Sequence, residues 1–127
     1  MKNKDIFTSA LHLLAENDGE SDISDYEERF PYLLANFCND AEELDVRYRK
    51  SRGLPEMEEH SYIMLPPDED FPLSEIFASS AVYYVASMLI SDENTEFSDT
   101  LFERFSSRMA DIYASLPWDR GSIKNIY

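Results

Sequence analysis

Apolar residues recur along this chain with the three-to-four spacing of an α-helix, in four stretches separated by glycine, proline and acidic breaks. In the first, from about Lys4 to Glu16, Ile6, Phe7, Ala10, Leu11 and Leu14 form one stripe. Asn17-Asp18-Gly19 ends it, because glycine takes the left-handed conformation at a helix C-terminus at little cost. The second stretch opens on Ser24-Asp25-Tyr26-Glu27, a capping box in which Ser and Glu satisfy orphan amides. From there Tyr26, Phe30, Leu33, Leu34, Phe37, Ala41, Leu44 and Tyr48 keep helical spacing. Pro31 removes one amide donor and crowds the preceding turn, which predicts a kink or two helices end to end. Gly53 and Pro55 stop the run.

The helical period disappears from Leu54 to Asp70, where Ser61-Tyr62-Ile63-Met64-Leu65 reads as a short extended strand and Pro66-Pro67 forbids a helix. Connections of this length in a compact domain are usually functional or mobile. A third helix follows from about Pro72 to Ser91. Ile76, Phe77, Ala81, Val82, Tyr84, Val85, Met88 and Leu89 make it apolar on nearly every face, as a central, buried helix is. Its small residues, Ala78, Ser79, Ser80, Ala81, Ala86 and Ser87, let neighbouring helices approach closely. After the acidic break Ser91-Asp92-Glu93-Asn94, a fourth helix is capped by Asn94 or Thr95 and repeats Phe97, Leu101, Phe105, Met109, Ile112 and Leu116 until Pro117. The expected architecture is all-α: one four-helix, bundle-like domain over residues 1–116, with a long proline-kinked second helix and an irregular or extended loop before a buried third helix. Residues 117–127 form a tail whose Trp118, Ile123, Ile126 and Tyr127 either fold back on the bundle or dock on a partner.

Composition agrees with one domain. The 127 residues are 43% hydrophobic and 13% aromatic, enough to bury a core, and three glycines are too few for phosphate-cradling loops. Twenty-six acidic residues against 11 basic ones leave a formal charge of −15. That balance argues against specific nucleic-acid binding and against anionic membrane surfaces. It favours solubility, a basic partner, or a surface past which DNA slides without sticking. The longest uncharged run, Ile76 to Ile90, is too short to span a bilayer. Cys38, the single cysteine, forms no intrachain disulfide and reads as a buried structural thiol, and a reducing cytoplasmic compartment is expected.

Candidate chemistry is sparse. His12 and His60 have no metal-ligand companion at helical spacing and read as ordinary surface or half-buried histidines, so neither metal nor cofactor is expected. The acidic clusters, among them Asp40, Glu42, Glu43 and Asp45, match no calcium loop and read as solvated faces. One basic run stands out: Arg47, Arg49, Lys50 and Arg52. Cations at a helix C-terminus complement its dipole, and this accounts for the run by itself. A contact to an acidic neighbouring subunit or to phosphate is the functional alternative.

Several stretches carry a resemblance. Asp25-Tyr26-Glu27-Glu28-Arg29-Phe30-Pro31-Tyr32-Leu33-Leu34, Leu65-Pro66-Pro67-Asp68-Glu69-Asp70-Phe71-Pro72-Leu73 and Leu89-Ile90-Ser91-Asp92-Glu93-Asn94, with the aromatic C-terminus, resemble small virion-assembly proteins of Firmicutes prophages. The helix order is similar to that of head–tail connector (adaptor) proteins of long-tailed phages. The resemblance implies a non-catalytic, ring-forming subunit docking beneath the portal, in the bacterial cytoplasm and then the virion. Its implied partners are the portal, neighbouring connector subunits and tail components. It implies that Trp118, Ile123, Ile126 and Tyr127 reach the neighbouring component, and that the 54–70 loop contacts adjacent subunits or the tail. The very acidic N-terminal half departs from the family pattern. Two other readings remain: an acidic effector that mimics nucleic acid and inhibits a DNA-binding protein, and a small enzyme, which would need a cleft of converging polar groups.

Overall fold

The computed structural model describes residues 1–15, 23–57 and 60–117. Among the described residues four α-helices form, α1 (Asn3–Ala15), α2 (Ile23–Arg52), α3 (Ala78–Ile90) and α4 (Thr95–Ser115), with a 3-10 turn, Glu75–Phe77, leading into α3. The chain is all-α, as its periodicity predicts. Among the described residues no strand forms at 61–65, and the one β-type pairing is an isolated bridge between Lys2 and Asp70.

Helix α3 carries the main packing of α1, α2 and α4. Its buried residues include Ala81, Val85, Ala86, Leu89 and Ile90, and Phe77 just ahead of it is fully buried. Ile6, Ala10 and Leu14 of α1, Phe30, Leu34, Phe37 and Ala41 of α2, and Leu101 and Ile112 of α4 complete the core. Small residues on α3 do let a neighbour approach: Ser87 and Ser98 of α4 hydrogen-bond across the buried interface.

Helix α2 runs unbroken through Pro31, so the two-helix alternative is not realised. A proline inside a helix costs roughly 3 kcal/mol. Here its ring is buried and its carbonyl accepts the amide of Leu65 at 3.0 Å, so the position also anchors the long loop. The helix begins at Ile23, which places Ser24 in the first turn. It ends as expected: Gly53 has φ +66°, with Gly53 N–H bonded to the Lys50 carbonyl and Leu54 N–H to that of Arg49. Gly19 lies outside the described residues.

The third helix starts later than Pro72. The backbone just ahead of it is committed to tertiary bonds, Phe71 N–H to the Met1 carbonyl and Ser74 N–H to the Asp45 carboxylate, so regular helix waits until Ala78. The same loop is pinned to α1, where Asn3 N–H meets the Glu69 carbonyl and the Asn3 amide meets that of Pro66. Asn94 caps α4 by accepting the Phe97 amide at 3.0 Å.

Candidate functional site

The basic run lies in the last two turns of α2, and its members have different fates. Asp45, one turn earlier, is 1% exposed and takes the Arg49 Nε at 2.9 Å. Arg49 also donates to the Pro55 carbonyl at 3.3 Å. Arg52 lies over the Tyr48 ring, 5.6 Å from its centroid. Arg49 is therefore held within the fold, whereas Arg52 is exposed and rests on a ring of its own helix.

Arg47 and Lys50 are placed otherwise. Arg47 stacks over the ring of Tyr113 in α4 at 5.4 Å, a cation–π contact that ties the ends of the two helices together. Neither side chain has a carboxylate partner among the described residues. With Ser51, Leu116 and Pro117 they line an open recess of about 210 Å³. Arginine and lysine supply its charge and Leu116 and Pro117 its apolar wall, and the half-exposed Tyr113 lines a smaller recess that shares Arg47 and Leu116. Trp118, Ile123, Ile126 and Tyr127 lie outside the described residues.

Two further features flank α2. Between α2 and α4, Phe37, Tyr84 and Phe105 form a triangle of rings with centroids 5.3–6.1 Å apart, and Phe102 extends it outward at 5.2 Å from Phe105. Burial raises the Tyr84 hydroxyl above its ordinary range, and Asp40 adds to the effect, so it remains a neutral donor. On another face of α2, the Asn39 amide donates to the Tyr62 carbonyl at 2.7 Å and accepts the Tyr62 N–H at 2.8 Å. Glu42 accepts the His60 N–H at 2.9 Å. These contacts hold the segment from His60 to Leu65 alongside the helix beside an open cleft of about 620 Å³ lined by Asn39, Glu42, Glu43, Val46, His60 and Ser61.

His12 and His60 are both exposed, and Cys38 is fully buried as a free thiol. No group of three or more His, Cys, Asp or Glu among the described residues is placed to hold a metal ion. No described helix is long and apolar enough to cross a membrane. Pattern reading puts Asp45 on a solvated face with Asp40, Glu42 and Glu43, which its burial against Arg49 corrects, and it does not single out Asn39. Asp45 carried one usable signal, its i,i+4 spacing to Arg49. Nothing local marked Asn39.

Of the stretches behind the phage resemblance, those that lie among the described residues are joined in space. Tyr26 donates its hydroxyl to Glu93 at 2.8 Å, Arg29 donates to the Met88 carbonyl at 3.0 Å, and Pro31 receives Leu65. They form the joint between α2, the long loop and the α3–α4 turn. No known family model, curated protein or solved structure matches the chain.

Proposed function

We propose that this protein is a structural adaptor without catalytic chemistry, a head–tail connector subunit that docks on a phage portal through the joined ends of α2 and α4. The observation that carries the reading is the recess at Arg47 and Lys50. In a chain of formal charge −15, two cations without a carboxylate partner among the described residues stand beside the apolar wall of Leu116 and Pro117. An acidic partner segment bearing an apolar side chain fits that chemistry, because it pairs the cations and covers the wall together.

An acidic effector that imitates nucleic acid would gather its carboxylates on one face. Here exposed carboxylates occur along α2 (Asp25, Glu28, Glu43), in the loop (Asp68, Asp70) and along α4 (Asp99, Glu103, Asp111), which favours the adaptor. The test is association with the portal protein of the genome that carries this gene, measured by light scattering and calorimetry on the full chain. The expected result is binding that weakens at least about tenfold in the Arg47→Glu/Lys50→Glu double variant. Absence of association at any concentration or salt overturns the reading.

A further inference from the structure

Ile63 is 83% exposed, the most exposed of the large apolar side chains among the described residues. It is not on a loose segment. Tyr62 before it is held through both backbone groups by Asn39, and Leu65 after it is buried with its amide on Pro31. The fold thus fixes an isoleucine in solvent, with Met64 beside it at 41% exposure. An apolar side chain held in place before binding loses little entropy when covered, which is what a docking anchor requires.

The surroundings give the partner its charge. Two residues back along the same segment begins the cleft of about 620 Å³, whose lining includes the exposed Val46 together with Glu42 and Glu43. Neither glutamate forms an ion pair among the described residues. A lysine or arginine lays its methylene stem along apolar surface and keeps its charged head among polar groups. Val46 supplies that surface and the two glutamates those groups.

We propose that Ile63 and the adjoining cleft form a second docking surface, which binds a basic protein segment whose lysine or arginine enters between Glu42 and Glu43 while an apolar socket covers Ile63. This rests on the adaptor reading and deepens it, because an adaptor must engage two components, and this surface uses residues and charge opposite in sign to those of the Arg47–Lys50 recess.

The test uses the full chain and a synthetic peptide of alternating valine and lysine, followed by amide NMR. The expected result is saturable shifts at Asn39, Glu42, Glu43, Val46 and residues 60–64. Binding should weaken about tenfold in Ile63→Ser and again in Glu42→Gln/Glu43→Gln, with helicity by circular dichroism unchanged. Three results overturn the proposal: shifts spread over the other exposed carboxylates, equal binding of a peptide with glutamine for lysine, or sedimentation showing that a second copy of the chain already covers Ile63. Portal association run in parallel separates the two ideas. If the portal still binds through Arg47 and Lys50 while the peptide does not bind at Ile63, only this surface fails.

Discussion

Ser87 of α3 donates its hydroxyl to the Ser98 carbonyl of α4 at 2.8 Å, and Ser98 returns the bond to the Ser87 carbonyl at 2.9 Å. The two oxygens lie 3.1 Å apart and both residues are buried. Only serine-sized side chains permit this reciprocal contact, so it sets how closely the two helices approach. Ser87→Ala or Ser98→Ala should each destabilise the protein by about 0.5–1.5 kcal/mol, the net worth of one hydrogen bond. In the double variant the losses should be non-additive by about 0.5 kcal/mol or more, as for residues in one network. Urea unfolding of the four proteins measures this, and strict additivity would show that the two bonds act independently.

Asp45 presents a larger prediction. Its carboxylate is buried, one oxygen on Arg49 and the other accepting the Ser74 amide at 3.2 Å, so it joins the end of α2 to the segment ahead of α3. Breaking such a pair from one side leaves an uncompensated buried charge, at about 3–5 kcal/mol. Arg49→Met should therefore lower stability by roughly that amount. Asp45→Asn, which still accepts from Ser74, should cost less. Thermal unfolding of both variants checks the order, and a harmless Arg49→Met would mean that solvent reaches the carboxylate.

Helix periodicity made most of the fold legible, because burial on α3 and the stripes of α1, α2 and α4 come from side chains at three-to-four spacing. The start of α3 was not legible: what delays it is Phe71 bonding to Met1 and Ser74 bonding to Asp45, contacts between residues far apart in sequence. Pro31 was legible in part, since one long helix containing it was among the two outcomes foreseen. Local rules foresee the lost amide, but not the loop that closes over the proline. The basic run was half legible. Its position at a helix end was plain, yet only the fold shows Arg49 paired with the buried Asp45 and Arg52 resting on Tyr48 while Arg47 and Lys50 line an open recess.

The Asn39 amide makes a two-bonded clamp on Tyr62, and it is the main polar tether of the 60–65 segment to α2. Asn39→Ala removes both bonds. Because the segment is otherwise held by Leu65 and by Glu42, the expected effect is local opening rather than global unfolding. Amides at 60–64 should exchange with solvent about tenfold faster, and limited proteolysis should cut there first, while the global unfolding free energy falls by only about 1 kcal/mol. If cleavage is unchanged in the variant, burial of Leu65 alone holds the loop.

Cys38 ties stability to alkaline pH. Burial pushes its thiol well above the ordinary range, and the carboxylates of Asp45 and Glu42 push it the same way. The folded chain therefore keeps this proton when the unfolded chain, whose thiol ionises at about pH 8.5, has released it. Protons bound in excess by the folded state make stability fall as pH rises. The contribution is complete below the unfolded value and is lost progressively above it, with a limiting slope of about 1.4 kcal/mol per pH unit. Burial also raises Tyr62 and Tyr84, so these add to the decline above about pH 10, and the window from about pH 8.5 to 10 isolates the thiol. Urea midpoints across that window should fall in the native protein and stay nearly flat in Cys38→Ala, whatever constant loss the smaller side chain brings. The same burial makes the native thiol slow toward disulfide reagents, with reaction following the opening of α2 against the 60–65 segment. Equal pH slopes in the two proteins, or rapid native labelling at pH 8, would mean that Cys38 reaches solvent.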